Sequence, residues 1–249
     1  MTKKAPYLKN WLEAVGNVLI GLYRSGSPAL VLAVLAALLS AMAAAPSSAL
    51  CQQEAKAARG GSVQLLTTGQ DQDLSQAKAV VEKLHKGLIE IMKAANRGAS
   101  CRERLSMIEP VVKEVFDFPL ISKIVLGRAW KGLSREEKRR FIEAFSAMSA
   151  ATYAKRFKAW KGERFETIET LPARRGRIKV KTLLIKPDGD EVELDYLLHR
   201  TSRGPKIVSV IAMGVSDLSL KRVEYAFYLK THSIDQLISR LEEQVDECI

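Results

Sequence analysis

The sequence has few of the side chains that build catalytic or metal centres. Its 249 residues include three cysteines and three histidines. Cys51, Cys101 and Cys248 are too few and too far apart for a disulfide scaffold or a zinc module, and no C-x-x-C or H-E-x-x-H pattern occurs. Neither a G-x-x-x-x-G-K-[ST] loop nor a G-x-S-x-G elbow is present. We therefore expect a protein that is not an enzyme and that uses no cofactor or metal.

The composition lacks the extremes that mark disordered, fibrous or polytopic membrane proteins. Hydrophobic residues make up 47% of the chain and charged residues 27%, which is typical of a globular domain. Lys and Arg number 39 against 28 Asp and Glu, so the formal net charge is +11. The basic residues are dispersed and do not alternate with aromatic ones, which argues against a nucleic-acid partner. The excess positive charge favours anionic lipid or an acidic partner.

Residues 1–49 have the composition of an export segment. A basic leading region precedes an uncharged run at residues 28–45, and the small residues at 47–49 fit a signal peptidase site. The alternative is a retained anchor, although about 17 apolar residues span only ~25 Å of a hydrocarbon layer ~30 Å thick. In both cases the basic flank stays inside, so the rest of the chain lies across the membrane.

The exported part is expected to form one domain at residues 71–249, preceded by a small, polar and flexible lead at 50–70. An oxidising compartment allows one disulfide and one spare thiol among the three cysteines. One pairing is Cys101 with Cys248, which leaves Cys51 in the lead.

The first half of this domain has the periodicity of helices, with apolar residues three or four apart. Ser134 and Glu137 form a capping box before the longest predicted helix, and Asp71 or Asp73 is the expected cap of the first. The predicted helices lie at about 71–95, 102–115, 135–160, 219–229 and 234–245, with a short one ending at about 126.

The second half alternates with a period of two, which predicts strands. Residues 178–184 and 192–198 flank Pro187-Asp188-Gly189, a sequence that suits a three-residue hairpin loop. This loop pairs 184 with 192, 182 with 194 and 180 with 196, and it places Lys181 opposite Asp195. Further strands are predicted at about 165–171 and 206–213. Helices followed by a meandering antiparallel sheet indicate an α+β fold with helices on one sheet face.

A series of short motifs over roughly residues 100–245 resembles a known family. The motifs are Phe116-Asp117, Leu126-Gly127-x-x-Trp130, Phe141-x-x-x-Phe145, Tyr153-x-x-x-Phe157, Gly162-Glu163-Arg164-Phe165, Gly214-Val215-Ser216-x-Leu218-x-x-x-Arg222 and Leu237-Ile238-x-x-Leu241. Their order is similar to that of the periplasmic phospholipid-binding component of Mla-type (maintenance of lipid asymmetry, or toluene-tolerance) transport systems, and most similar to the branch associated with hopanoid biosynthesis. The late strand departs from the family pattern. The family usually has Trp-Lys-Ile followed by Asp-Val, whereas this chain has Pro205-Lys206-Ile207-Val208-Ser209-Val210.

The resemblance implies that the helices and a curved, mostly antiparallel sheet enclose an apolar cavity for lipid tails. It implies a periplasmic shuttle that carries phospholipid, or a hopanoid-like lipid, between the inner and outer membranes. The expected partners are an inner-membrane ABC transporter complex and an outer-membrane lipoprotein complex; residues 28–45 would tether the protein to the inner membrane if they are retained. The cavity is predicted to have two walls, one formed by the sheet and one by the longest helix. The residues predicted to line it are Val180, Leu184, Leu194 and Tyr196 on the sheet wall and Phe141, Phe145 and Phe157 on the helix wall.

Two other interpretations remain open at this point. The same residues fill a core if the chain is a membrane-tethered interaction or scaffold protein of this fold. An enzyme acting on a polycyclic lipid would need a polar group inside the cavity, and Tyr196 and Thr182 are the only inward polar candidates on the hairpin.

Overall fold

The structure is a computed structural model that describes residues 62–249, with side chains from residue 69. The expected export segment and most of the expected lead lie outside the described residues. Within residues 62–249, no helix combines the length and the apolar character that a membrane span requires.

Five helices precede the sheet and two follow it in this part of the chain. The helices are α1 (Ser62–Asn96), α2 (Cys101–Val115), α3 (Phe118–Leu126), α4 (Ala129–Gly132), α5 (Arg135–Arg156), α6 (Asp217–Tyr228) and α7 (Ile234–Asp246). The strands are β1 (Arg164–Ala173), β2 (Arg177–Ile185), β3 (Glu191–Thr201), β4 (Gly204–Ala212) and β5 (Val215–Ser216). They form one antiparallel sheet in chain order, β1-β2-β3-β4-β5, with β1 at one edge. The predicted α+β class is confirmed.

Capping residues explain where several helices begin. Ser134 and Glu137 form the predicted capping box of α5, and the same device opens α2 with Ser100 and α7 with Ser233. The predicted cap of the first helix is wrong, because α1 already begins at Ser62 and includes residues 62–70, the last part of the expected lead.

The predicted ends of two helices differ from the structure for identifiable reasons. Asp73 lies inside α1 instead of capping it, and its carboxylate is 2.9 Å from the Arg200 guanidinium on β3. Helix α5 ends at Arg156 instead of about residue 160. Beyond it, the Trp160 amide donates to Asn96 Oδ1 at 3.1 Å, so a side chain at the end of α1 replaces the helical acceptor.

The predicted hairpin register is confirmed. Val180 pairs with Tyr196, and the neighbouring pairs 182–194 and 184–192 follow. Gly189 has φ of 85° in the turn, a conformation that glycine adopts without strain. Lys181 pairs with Asp195 in register as predicted, but the ion pair forms on the diagonal, where Lys179 Nζ lies 2.8 Å from Asp195 Oδ2.

Helix α1 positions the rest of the molecule, because it packs on β1, β2 and β4 with one side and on α2 with the other. The two helices approach closely at Gly87, where an added Cβ would lie 2.9 Å from Ile108 Cδ1. Helix α5 packs on α2, α3 and α7, and α6 packs on α3 and β4. The predicted bond between Cys101 and Cys248 is confirmed and joins the start of α2 to the end of the chain.

Candidate functional site

A cleft of about 400 Å³ runs between α1 and the edge strand β1. Because β1 is the edge of the sheet, no further strand of residues 62–249 lies on its outer side. Three helical turns of α1 form one wall, and β1 with the loop before it forms the other. The lining residues are Glu82, His85, Lys86, Ile89, Lys93, Trp160, Glu163, Arg164, Phe165 and Thr167.

Two stacked rings form the inner end of this cleft. The His85 imidazole lies on the Phe165 ring with their centroids 4.0 Å apart and their planes 10° from parallel. On its inner side, His85 Nε2 is 3.0 Å from the Tyr196 hydroxyl oxygen. His85 and Tyr196 are both buried, whereas Phe165 is half-buried. The stacked pair therefore separates the cleft from the sheet face to which Tyr196 belongs.

Burial keeps this inner pair uncharged at neutral pH. It lowers the pKa of His85 to about 3, because the imidazolium would lose its hydration there. Burial likewise raises the pKa of the Tyr196 hydroxyl well above its usual range. A neutral imidazole and a neutral phenol satisfy each other with one hydrogen bond, so the end of the cleft presents carbon and no net charge.

The mouth of the cleft has both signs of charge. Of its two acidic residues, Glu163 accepts a hydrogen bond from the Lys161 backbone amide at 2.6 Å. The Glu82 carboxylate lies 3.7 Å from Lys78 Nζ, and it accepts from the Thr167 hydroxyl at 3.4 Å. Lys86 and Arg164 are exposed and have no ion-pair partner among residues 69–249. They leave two positive charges at the mouth that are available to an anion.

The predicted cavity residues on the sheet share one face. Val180 and Tyr196 are fully buried there, and Leu184 and Leu194 are partly buried toward its end. Thr182 lies between them and donates to the Leu194 carbonyl at 2.7 Å, so it offers no free polar group. The hydrogen bond between Tyr196 and His85 shows that α1 covers this face.

The predicted cavity residues on α5 contact α3 and α6. Phe141 and Phe145 stack with centroids 5.7 Å apart, and each meets the Tyr225 ring of α6 edge-on at about 6 Å. Phe145 also meets Phe118 of α3 edge-on. Phe157, which follows α5, lies 6.1 Å from the Tyr153 ring. Phe141 and Phe145 belong to the same hydrophobic core as Val180 and Tyr196, and Phe157 packs against it.

In the structure, the two predicted walls therefore pack against different helices. The sheet residues face α1, while Phe141 and Phe145 face α3 and α6. Neither His85 nor Phe165 was predicted as a site residue from the sequence. Position 85 is one helical turn from Val81 and from Leu88, which both lie on the buried face of α1. This spacing predicts that His85 is buried, but it does not distinguish a core histidine from a site histidine.

A second cleft of about 520 Å³ lies along α7 and is lined mainly by polar groups. The Arg240 guanidinium lies over the Tyr228 ring there, 5.2 Å from its centroid. Its lining residues are Tyr228, Asp235, Gln236, Ser239, Arg240 and Glu243. Such a surface suits water or a polar partner better than acyl chains.

Neither cleft has the arrangement of a metal site. No cluster of three or more His, Cys, Asp and Glu side chains with metal-binding geometry occurs within residues 69–249. The buried groups at the inner end of the first cleft suit an apolar ligand.

Comparison with known proteins places this chain in a family. A sequence model described as MlaC protein matches residues 82–243, most of the part that the structure describes. The chain belongs to the MlaC family. The match begins in α1, three residues before His85, and ends in α7, so it includes the first cleft and every predicted cavity residue.

One solved structure has the same fold as this MlaC-family chain. It is a phospholipid-binding protein from Ralstonia solanacearum, determined in complex with a phospholipid. The two chains are 18% identical with a TM-score of 0.59, and the alignment covers 71% of this chain and 98% of the other. At this identity the likeness establishes the fold. No curated protein matches the sequence.

Proposed function

We propose that this MlaC-family protein binds phospholipid in the periplasm and carries it between the inner and outer membranes. The observation that supports this most directly is the cleft between α1 and β1, which ends at His85 and Phe165 directly over the predicted sheet wall. Family membership and the shared fold with a protein solved in complex with a phospholipid support the same function.

The free energy of lipid transfer sets what such a carrier must provide. Two long acyl chains contain roughly 28 methylenes, and at ~0.8 kcal/mol each their burial is worth ~20 kcal/mol relative to water. A bilayer offers about the same amount, so exchange between the protein and a membrane is nearly balanced. The protein therefore needs an apolar interior and no chemistry of its own.

Loading requires more room than the cleft provides. Small-ligand pockets occupy ~300–1,000 Å³, and a cleft of about 400 Å³ is at the lower end of that range. In this structure Val180, Tyr196 and the α5 phenylalanines pack within the core. We propose that acyl chains enter when α1 moves away from β1, which parts the His85–Phe165 stack and exposes the sheet wall.

The charges at the cleft mouth fit the other end of such a ligand. Lys86 and Arg164 would lie beside the phosphate of a lipid whose tails point toward Tyr196. A hopanoid-like lipid is the variant cargo that the sequence resemblance suggests. Because transfer is nearly balanced, direction would come from the partners, an inner-membrane ABC transporter complex and an outer-membrane lipoprotein complex.

A second function remains, and one observation favours it. Phe141, Phe145, Val180 and Tyr196 fill the core in this structure, and Phe157 and Leu194 pack against it, as expected for a membrane-tethered scaffold of the same fold. The scaffold would contain no lipid, whereas the carrier would.

Native mass spectrometry of the protein purified from cells without detergent distinguishes the two functions. The carrier predicts a fraction of the protein with the additional mass of a phospholipid, which extraction and fragmentation then identify. A preparation that is free of lipid, and that does not take up phospholipid from vesicles, would contradict the proposal and favour the scaffold.

A further inference from the structure

Helix α6 is apolar on two sides. Its inner side places Tyr225 in the core, against Phe141 and Phe145. On its outer side are Leu220, Val223 and Phe227, whose spacing of three and four residues places them on one face. All three are exposed, Val223 at 69%. We call these three residues the outer face of α6.

Two further exposed apolar residues lie in the segment that leads into the helix. Met213 in the turn after β4 and Val215 in β5 are exposed as well. Single exposed apolar residues are ordinary, but a group along one helix and the segment leading into it marks a binding surface.

Two exposed cations lie near this surface, one just after the C-terminal end of α6 and one on the side of α6 that packs on α3. Lys230 Nζ lies 5.6 Å from the Phe227 ring centroid, and Arg222 lies beside Gly127. Neither has an ion-pair partner within residues 69–249. The two acidic residues of α6 are engaged: Glu224 lies 2.9 Å from Lys221, and Asp217 accepts from the Val210 amide at 3.0 Å.

We infer that the outer face of α6 docks on the surface of an anionic phospholipid bilayer. An exposed apolar helix face with unpaired Lys and Arg beside it is the pattern of helices that lie in the membrane interface. Unpaired cations favour lipid phosphates over an uncharged partner surface. This inference rests on the proposed lipid-binding function. Docking there would leave only α6 between the membrane and the predicted cavity residues Phe141 and Phe145.

Site-specific labelling of the full chain tests this docking. In a Cys51→Ser background, Val223→Cys carries an environment-sensitive fluorophore, and Ile168→Cys, on β1 and 52% exposed, carries it in the matched control. A leader retained in both proteins contributes equally to both, so the difference between the labels reports which face meets the lipid.

With vesicles of equal parts phosphatidylglycerol and phosphatidylcholine, we expect the label at 223 to shift to the blue and to be quenched by spin-labelled acyl chains, while the label at 168 does neither. Arg222→Glu with Lys230→Glu should reduce the shift several-fold, and pure phosphatidylcholine should give a weaker one. Equal responses at both positions, or none at 223, would overturn the inference. A concentration-dependent shift at 223 without vesicles would overturn it in favour of a second copy of this chain.

The same preparations separate this inference from the proposed function. If native mass spectrometry finds bound phospholipid while the label at 223 ignores vesicles, the docking surface is wrong and the carrier function stands. If the label at 223 responds to vesicles and no lipid is bound, the docking surface is correct and the carrier function is wrong.

Discussion

His85 Nε2 lies 3.0 Å from the Tyr196 hydroxyl, and this hydrogen bond joins α1 to the middle of the sheet. Both groups are buried, and burial keeps the imidazole neutral by lowering the pKa of His85 to about 3. Protonation of His85 would therefore weaken this part of the contact between the helix and the sheet.

Acid should destabilise the protein through His85. Its ordinary pKa is 6.5 and its folded value about 3, so between these pH values the unfolded chain binds more protons than the folded one. The contribution is fully present above pH 6.5 and is lost as the pH falls toward 3. We expect the free energy of unfolding to fall by up to about 1.4 kcal/mol per pH unit from this group, as measured by urea denaturation across that range.

The His85→Phe variant isolates this effect. At neutral pH it should be less stable by ~1–3 kcal/mol, because the buried Tyr196 hydroxyl loses its partner. Its stability should depend less on pH than that of the wild type, and the His85→Phe/Tyr196→Phe double variant should recover part of the loss. Parallel pH profiles for the wild type and His85→Phe would show that another group is responsible.

The elements that could be predicted from the sequence are those specified by neighbouring residues. The hairpin is one case, because the Pro187-Asp188-Gly189 turn and the alternation on both sides independently require the pairing of Val180 with Tyr196. The capping box at Ser134 is another. By contrast, α5 ends at Arg156, and beyond it the Trp160 amide binds Asn96, a residue distant in sequence that no local pattern identifies as its partner.

The candidate site was harder to predict for the same reason. Alternation identified Val180 and Leu194 as facing inward, but it does not say which helix covers them. The structure shows that α1 does so through His85, whereas Phe141 packs on Tyr225 of α6. From the sequence, Phe165 was recognised only as part of a motif. Its stack with His85 depends on the placement of α1 over the sheet edge.

Charge reversal at the cleft mouth should weaken the binding of phospholipid. Lys86 and Arg164 are exposed and unpaired within residues 69–249, so Lys86→Glu with Arg164→Glu should leave the fold intact. We expect several-fold weaker uptake of phosphatidylglycerol from vesicles, with the loss reduced at high salt because salt screens exposed charges. Arg102→Glu, an exposed charge reversal on α2, is the control and should bind as the wild type does. Equal affinity in all three proteins would exclude the mouth as the phosphate site.

The Cys101–Cys248 bond should make a large contribution to stability. It closes a loop with a sequence separation of 147 residues, which restricts the unfolded chain strongly. Cys101→Ser should lower the free energy of unfolding by about 2–5 kcal/mol, measured by thermal or urea denaturation under oxidising conditions. Cys51→Ser provides the control and should leave stability unchanged. The prediction fails if reductant shifts the unfolding of the wild type and of Cys101→Ser equally.

Filling the predicted sheet wall should exclude lipid without unfolding the protein. Leu194 is partly buried on the inner face, so Leu194→Trp places a large ring in the space that acyl chains would need once α1 moves away. Leu183→Trp makes the same change on the opposite face of β2, at a position that is also partly buried, and should leave lipid binding intact. Val180→Glu places a charge at the fully buried centre of the wall and should abolish loading, although its folding must be checked by circular dichroism. If folded Leu194→Trp retains full lipid occupancy in native mass spectrometry, the lipid does not lie against this face, and the assignment of Val180, Leu184, Leu194 and Tyr196 to its binding site is wrong.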